Sequence, residues 1–433
     1  MTDRFEILVE ARSGGGDPIT RRLAVRLGDI WLTRLIRRGS DQPDRCLEAP
    51  PLPLAFWFVD NWWRIRCEPP PPQRDFPAHW RIAHHLPSVG AGYPWPNVSL
   101  WGEGSRCAIM VHADVHNLQR SLRFLAEPAL EYVSSSTAET AIDTFINQVL
   151  QDAGSDCDGL DHEYRSLLAE RADPATSRWR RLEALLGFDP DAAPERLVSD
   201  YEAMTERFGI DGIEEAALAQ QGEHSTTALQ DALVAAEASR VVLRIPSTIS
   251  GIDLDHWPLH PPWRLAVVAA RELRRRLRLP NGPIRNPRLS EVLDINADRL
   301  ATQRAPPRSI PYGLRLRTAS EDVNKLALRS RWSHSRRFEL CRSLGDIIWS
   351  GNDALGPLST AKSGRQKFQR AFAQEFLCPF DDLRAYIPND DPGDDDIHAA
   401  ARHFHVSERL VQTTLVNHNV IDQQTFEQMV EAA

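Results

Sequence analysis

The sequence lacks the segments that mark membrane-spanning, secreted and zinc-ribbon proteins. No apolar run approaches the roughly 20 residues that a helix needs to cross a bilayer, and no basic region followed by an apolar core opens the chain. The six cysteines are scattered and form no C-x-x-C pair, so neither a zinc ribbon nor a disulfide framework is indicated. We therefore expect a cytoplasmic protein with reduced cysteines and no membrane partner.

The composition is typical of a globular chain with room for more than one core. At 433 residues, with 42% hydrophobic and 26% charged residues, the chain is long enough for two or three cores. The formal net charge of −9 argues against indiscriminate binding to nucleic acid or anionic membranes, although it is compatible with a local basic patch. The overall charge therefore identifies no partner.

The pattern along the chain predicts an α+β protein made of three domains. Residues 1–125 favour a β-rich domain, because apolar segments such as residues 54–66 are separated by turns rich in glycine and proline. Seven of the twelve tryptophans lie in this domain, where large indole side chains are expected to build the core of a small sheet. Residues 138–240 show helical periodicity and predict a helical linker domain, and we expect a third domain in the C-terminal part of the chain.

Residues 337–346 have the spacing of a zinc-peptidase helix without its chemistry. A His-Glu-x-x-His helix places two imidazoles four residues apart on one face, where they bind Zn²⁺ while the glutamate activates water. Arg342, Ser343 and Asp346 occupy these three positions. Because a guanidinium repels Zn²⁺ and serine removes the general base, the single carboxylate of Asp346 falls short of a catalytic zinc site.

The residues around these positions resemble the ImmA/IrrE family of metallopeptidase-like proteins, whose core pattern runs approximately R-F-T-L-A-H-E-L-G-H. The matching residues of this stretch are Arg337, Phe338, Leu340, Leu344 and Gly345. Residues 368–379 are similar to the next helix of the family, approximately E-A-N-x-F-A-x-E-L-L-M-P, with matches at Phe372, Ala373, Glu375, Leu377 and Pro379. The third metal ligand of the family, a glutamate, corresponds to Phe368 here. Residues 397–421 resemble the helical tail that closes the peptidase domain of the family.

The resemblance implies a mostly helical, zincin-like module over residues 262–425 that has lost its zinc site. It also implies a non-catalytic regulatory or interaction protein in a bacterial stress, mobile-element or phage-defence context. In this hypothesis the former substrate groove binds a partner protein, and neither a catalytic residue nor a metal or other cofactor is expected. The groove would be bordered by Glu339, Arg342, Asp346, Arg370 and Glu375. Because Arg342 and Asp346 are four residues apart on one helix, we expect them to form an ion pair.

A nucleic-acid-binding regulator is the first alternative. The helix predicted over residues 263–277 ends in arginines whose i, i+3, i+4, i+7 spacing places four of them on one face, and these are Arg271, Arg274, Arg275 and Arg278. Residues 407–415 have the size of a helix-turn-helix recognition helix with Ser407 as its N-cap. Side chains placed to contact base edges are those of Gln412, Thr413 and Asn417. The aromatic residues within 56–66 would add a surface on which bases stack, whereas the acidic run at 390–396 would repel phosphate.

A hydrolase with a relocated active site is the second alternative. Histidines of the N-terminal part are the candidate ligands, namely His79, His84, His85, His112 and His116. Alternate residues of a strand point to opposite faces, so this spacing by itself does not show that the imidazoles converge. The alternative predicts bound metal and an activity that depends on His84, His85 or His112.

Overall fold

In a computed structural model, the chain forms two compact units. The first unit consists of residues 1–199 with 220–224, and the second consists of residues 200–219 with 225–433. The structure describes residues 4–10, 19–40, 42–71, 76–113, 121–153, 157–220, 225–244, 252, 254, 261–296, 310–318, 323–351 and 353–422.

The strands of the first unit pair antiparallel in small sheets. They are β1 (Phe5–Glu10), β2 (Arg21–Leu27), β3 (Ile30–Trp31), β4 (Leu35–Arg37), β5 (Leu47–Ala49), β6 (Val98–Glu103), β7 (Arg106–Val111), β8 (Leu122–Phe124) and β9 (Ala129–Ser134). In one sheet β2 pairs with β1, β3 and β5. In another, β7 lies between β6 and β9, while β4 and β8 form a two-stranded ribbon.

Helices make up much of the first unit, and two of them correct the sequence prediction. The helices are α1 (Pro51–Asp60), α2 (Trp62–Cys67), α3 (Ala78–His84), α4 (Ser135–Ala153), α5 (Asp158–Ala172) and α6 (Pro174–Leu185). The strand predicted over residues 54–66 is therefore wrong, because these residues lie in α1 and α2. Pro51 suits the first turn of α1, and the apolar side chains of Leu54, Phe58 and Trp62 are buried at a spacing of four residues. The tryptophans of this segment are core residues, as the sequence predicted.

The second unit contains one described four-stranded antiparallel sheet, in the order β10-β12-β11-β13. Its strands are β10 (Val242–Arg244), β11 (Gly313–Arg317), β12 (Val323–Ala327) and β13 (Leu355–Leu358). In the central strand β11, Arg315 lies opposite Leu326 of β12 and Gly356 of β13. This register places Arg315 in the middle of the sheet, from which its side chain reaches Asp346 of the site described below.

Helices form most of the second unit. They are α7 (Glu195–Phe208), which spans the boundary between the units, and then α8 (Ile210–Leu218), α9 (Thr227–Glu237), α10 (Pro262–Arg276), α11 (Asn286–Leu293), α12 (Ser333–Ser350), α13 (Gly364–Leu377), α14 (Phe380–Tyr386), α15 (Asp394–Phe404) and α16 (Glu408–Asn417). Helices of the segment predicted as a linker lie in both units, with α4 to α6 in the first and α8 and α9 in the second. The division into three domains stays a prediction. No helix in the described ranges has the length and apolar character needed to cross a membrane.

Close packing of α12 and α13 organises the core of the second unit. The rings of Phe368, Phe372 and Phe376 follow one face of α13 at a spacing of four residues, with centroids 6.2 and 5.6 Å apart. A Cβ atom at Gly345 of α12 would lie 3.1 Å from Cβ of Phe372, so glycine permits the close approach of the two helices. The chain is thus of mixed α and β class, and the zincin-like character of its C-terminal part stays a prediction.

Candidate functional site

Helix α12 buries the residues that stand in place of zinc ligands. Arg342 is 8% exposed, and Ser343 and Asp346 are fully buried. The fourth position of interest, Phe368, is fully buried in the aromatic row of α13. These positions therefore belong to the interior of the second unit.

Asp346 accepts hydrogen bonds from two arginines and an amide. Its Oδ2 lies 2.8 Å from Nε of Arg315, and its Oδ1 lies 2.6 Å from Nε of Arg365 and 2.7 Å from Nε2 of Gln369. Burial would by itself raise the pKa of Asp346, but the charges of Arg365 and Arg315 outweigh it and hold the pKa below its usual range. A Cβ atom at Gly356 would fall 1.8 Å from Oδ2, so only glycine lets strand β13 pass this carboxylate. Both oxygens of Asp346 are thereby committed to structural contacts.

The predicted ion pair between Arg342 and Asp346 is wrong. Nη2 of Arg342 donates instead to the carbonyl oxygen of Ser359 at 2.7 Å, and to the side-chain oxygens of Gln366 at 2.5 Å and Gln369 at 3.1 Å. Arg315 and Arg365 approach Asp346 from the sheet and from α13, and they occupy the oxygens that Arg342 would have contacted. Burial, followed by the neighbouring charge of Arg370, lowers the pKa of Arg342 to about 9.

The polar contacts extend from α12 and α13 to α8. Nε2 of Gln366 donates to Oε2 of Glu215 at 2.9 Å, and Nη1 of Arg365 lies 2.8 Å from Oδ2 of Asp353. Burial raises the pKa of Glu215, although Arg365 opposes the shift. These buried contacts hold α8, α12, α13 and the sheet in fixed relative positions, because an unsatisfied buried charge is costly.

The five residues predicted to border a groove do not share one. Asp346 is enclosed as described, and Glu375 is buried, where it contacts Nε of Arg271 at 2.6 Å and accepts from the N–H of Phe380. Nη1 of Arg370 donates to the carbonyl oxygen of Ala361 at 3.0 Å. The predicted groove is therefore wrong for Asp346 and Glu375, which are buried, whereas Glu339 and Arg370 are only partly buried.

Two of the predicted residues, Glu339 and Arg342, line a cavity of about 440 Å³ beside the start of α12. We name it the α12 cavity. Its basic residues are Arg329, Arg331 and Arg342, and its hydroxyl-bearing residues are Ser330, Ser335, Ser359 and Thr360. Its apolar lining comes from Trp332, Phe338 and Leu358.

The entrance to the α12 cavity includes residues that sequence reasoning missed. Arg329, Arg331 and Trp332 are exposed, and the guanidinium carbon of Arg331 lies 5.1 Å from the ring centroid of Trp332. Both carboxylate oxygens of Glu339 accept from the N–H of Ser330, and burial raises the pKa of Glu339. Two arginines and a tryptophan just before α12, in the stretch Arg329-Ser330-Arg331-Trp332, were the sequence signal for this entrance, but these residues lie outside the family pattern.

The four arginines of α10 do not form one exposed cationic face. Helix α10 ends at Arg276, and Arg278 lies beyond it with a φ of +50°, so the spacing argument fails at that residue. Arg274 is buried and donates to the carbonyl oxygens of residues 376, 280 and 282. Arg275 contacts Glu272, and Arg271 contacts Glu375. The predicted phosphate-contacting face is wrong in its geometry.

The helix-turn-helix-like tail has the predicted local structure. Oγ of Ser407 accepts from the N–H of Leu410 and caps α16, as predicted. Asn417 is exposed at the end of this helix, while Gln412 and Thr413 are partly buried. Oγ1 of Thr413 donates to the carbonyl oxygen of Arg409. Contact of these three side chains with bases stays a prediction.

The structure brings two of the N-terminal histidines together, since the ring centroids of His85 and His112 lie 5.4 Å apart. His84 is fully buried, with Nδ1 2.8 Å from the carbonyl oxygen of Leu100 and Nε2 3.0 Å from Oε2 of Glu68. Nε2 of His85 contacts Oδ1 of Asn97, and Nε2 of His112 contacts Oγ of Ser99. Exposed His79 lies in α3, and His116 lies outside the described residues. Within the part of the chain that the structure describes, no three His, Cys, Asp or Glu side chains converge as metal ligands.

The chain matches no protein-family model, no curated protein and no solved structure. The resemblance to the ImmA/IrrE family therefore stays a prediction that rests on the residues quoted for it. The α12 cavity and the buried charges beside it are the features of the second unit from which a function is argued.

Proposed function

We propose that the chain is a non-catalytic binding protein that holds a partner protein at the α12 cavity. The observation that carries the proposal is the double ion pair of Asp346 with Arg315 and Arg365. It occupies the one carboxylate that the degenerate peptidase motif retains. A regulatory role in a bacterial stress, mobile-element or phage-defence context is part of the proposal and is supported by the family resemblance.

The residues at the positions of the zinc motif argue against zinc chemistry, because they do not supply enough metal ligands. Catalytic zinc sites use three protein ligands with lone pairs free for the metal, and the positions that resemble the family motif provide Arg342, Ser343, Asp346 and Phe368. For Asp346 to bind a metal, the buried pairs with Arg315 and Arg365 would have to break, and breaking a buried pair costs roughly 3–5 kcal/mol. Zinc binding at this helix is therefore strongly disfavoured.

The argument for a protein partner comes from the entrance of the cavity. Trp332 is 47% exposed and is flanked by Arg331 and, two residues further, Arg329. Tryptophan and arginine are the residues most enriched where protein interfaces gain their binding energy, because both combine a large contact area with directed polar groups. An exposed tryptophan beside a cavity is thus a suitable anchor for a partner.

The test combines metal analysis, a cleavage assay and partner capture. Protein purified without chelators or a histidine tag is expected to contain less than about a tenth of an equivalent of zinc and to cleave no peptide substrate. Capture of interacting proteins should depend on Trp332, so Trp332→Ala should lose a protein that wild type and Val268→Ala both retain. Val268 is a matched control because it is an exposed apolar residue of the same unit, on α10.

A different result would overturn the proposal. About one equivalent of zinc, together with a cleavage activity that Asp346→Ala abolishes, would show a peptidase. Equal capture by Trp332→Ala and wild type would show that the cavity entrance does not bind the partner.

A further inference from the structure

We infer that the α12 cavity binds an anionic side chain of the partner protein, a carboxylate or a phosphate, between buried Arg342 and the exposed Arg329 and Arg331. This inference rests on the proposed function and gives the chemistry by which the partner is recognised. It concerns a peptide ligand, and the two anions are alternative sources of the same negative charge.

Arg342 is a buried cation that has only neutral acceptors among the described residues. Its three hydrogen bonds go to the carbonyl oxygen of Ser359 and to the amide oxygens of Gln366 and Gln369. Its Nε is buried and has no hydrogen-bond partner in the described part of the chain. A guanidinium without a contacting carboxylate keeps most of its desolvation cost, and an anion placed beside it would offset that cost.

Basic side chains outnumber acidic ones in the lining of the α12 cavity, while the charges of Glu339, Asp346 and Glu215 also act on Arg342. Arg370 donates to the carbonyl oxygens of Ser359 and Ala361, so its described acceptors are also neutral. Burial lowers the pKa of Lys362, and the neighbouring charges of Lys367 and Arg370 lower it further. The cavity lining contains three arginines but one carboxylate, that of Glu339, and its oxygens accept hydrogen bonds from a backbone N–H. The balance of charge inside the cavity therefore favours an anion.

The other lining groups suit a side chain with a charged end and an apolar stem. The hydroxyls of Ser335 and Thr360 are donors for carboxylate or phosphate oxygens, and arginine contacts both anions in bidentate geometry. The rings of Trp332 and Phe338 and the side chain of Leu358 offer apolar contact for the stem. A volume of about 440 Å³ admits one such side chain with its flanking peptide groups.

The test follows the fluorine NMR signal of Trp332 in protein labelled with 5-fluorotryptophan. The signal is assigned by its loss in Trp332→Phe. The probes are inorganic phosphate, glutarate, and blocked tripeptides with Glu, phosphoserine or Gln between two glycines, all titrated at constant ionic strength. We expect a saturable shift with the anionic probes and none with the Gln peptide. Whichever of the Glu and phosphoserine peptides binds with the lower dissociation constant identifies the source of the anion.

Variants at the cavity entrance make the assignment specific. Arg329→Gln and Arg331→Gln should each weaken binding about tenfold, the effect of losing one charge-assisted hydrogen bond. Arg275→Gln, which removes an exposed arginine of α10, should leave the affinity unchanged. No saturable shift with any anion, an equal shift with the Gln peptide, or equal losses with Arg275→Gln would overturn the inference.

Failure of this inference is distinguishable from failure of the proposed function. Capture of a partner that depends on Trp332, combined with no response to anions, would refute the anion and keep the partner. Anion binding without any partner captured through Trp332 would refute the partner and keep the anion site.

Discussion

Replacing Asp346 with asparagine removes the carboxylate that both Arg315 and Arg365 contact. The side chain of Asp346 is 0% exposed, and those of the two arginines are 1% and 5% exposed, so water cannot replace the lost charge. Breaking a buried pair costs roughly 3–5 kcal/mol. Arg365 keeps its contact with Asp353 at 2.8 Å, so we expect a loss near the lower limit, about 3 kcal/mol, rather than the sum of two pairs.

Hydrogen exchange measures this loss where it occurs. The chain has two compact units, so its unfolding is not assumed to be two-state, and exchange in peptides from α12 and α13 reports the stability of the second unit directly. A loss of about 3 kcal/mol corresponds to roughly 100-fold faster exchange of the amides that need global opening of this unit. Asp390→Asn is the control, because Asp390 is 95% exposed in its pair with Arg384, and such pairs contribute about 0–1 kcal/mol.

Acidification provides an independent check of the same contact. Arg365 and Arg315 hold the folded pKa of Asp346 below the value of the unfolded chain, despite the opposing effect of burial. The unfolded state therefore takes up this proton first, and the stability due to the carboxylate is present above pH about 4 and lost as the pH falls through the folded pKa. Asp346→Asn should lack this part of the acid dependence. If its exchange rates equal those of Asp390→Asn at neutral pH, the two buried arginines do not depend on Asp346 and the reasoning is refuted.

Two further predictions concern packing and protonation. Gly356→Ala should lower the melting temperature of the second unit by the equivalent of about 1–3 kcal/mol, because the new Cβ atom would clash with Asp346. Gly364→Ala is the control and should leave the melting temperature unchanged, since its new Cβ atom would have no neighbour closer than 3.5 Å. Equal melting temperatures of the two variants would contradict the close approach of Gly356 to Asp346. His112 should show no NMR titration between pH 5 and 8, because burial and then His85 lower its pKa to about 4. In the unfolded chain the imidazole of His112 takes up its proton near pH 6.5, so the free energy of unfolding should fall as the pH is lowered from 6.5 to about 4. His112→Asn should remove this pH dependence.

Sequence reasoning succeeded where the signal was local. The helix predicted over residues 263–277 is α10, and Ser407 caps α16 through a contact three residues away. It failed over residues 54–66, because a short apolar and aromatic run such as residues 54–59 has no period that separates a buried strand from a buried helix. It also failed for the arginines of α10, since the position at which the helix ends decides whether Arg278 can share a face with Arg271.

The sequence by itself determined that residues 337–346 lack the side chains of a zinc-peptidase helix. The identities of Arg342 and Ser343 decide this in any fold, because arginine does not ligate zinc and serine does not replace the glutamate as general base. Only the tertiary structure decided where the remaining charges are paired. Arg315 and Arg365, 31 and 19 residues away from Asp346, contact it, whereas Arg342, one helical turn away, binds neutral oxygens. The strength of an electrostatic interaction depends on the distance between the charges and on their burial, and the separation of two residues along the chain determines neither quantity.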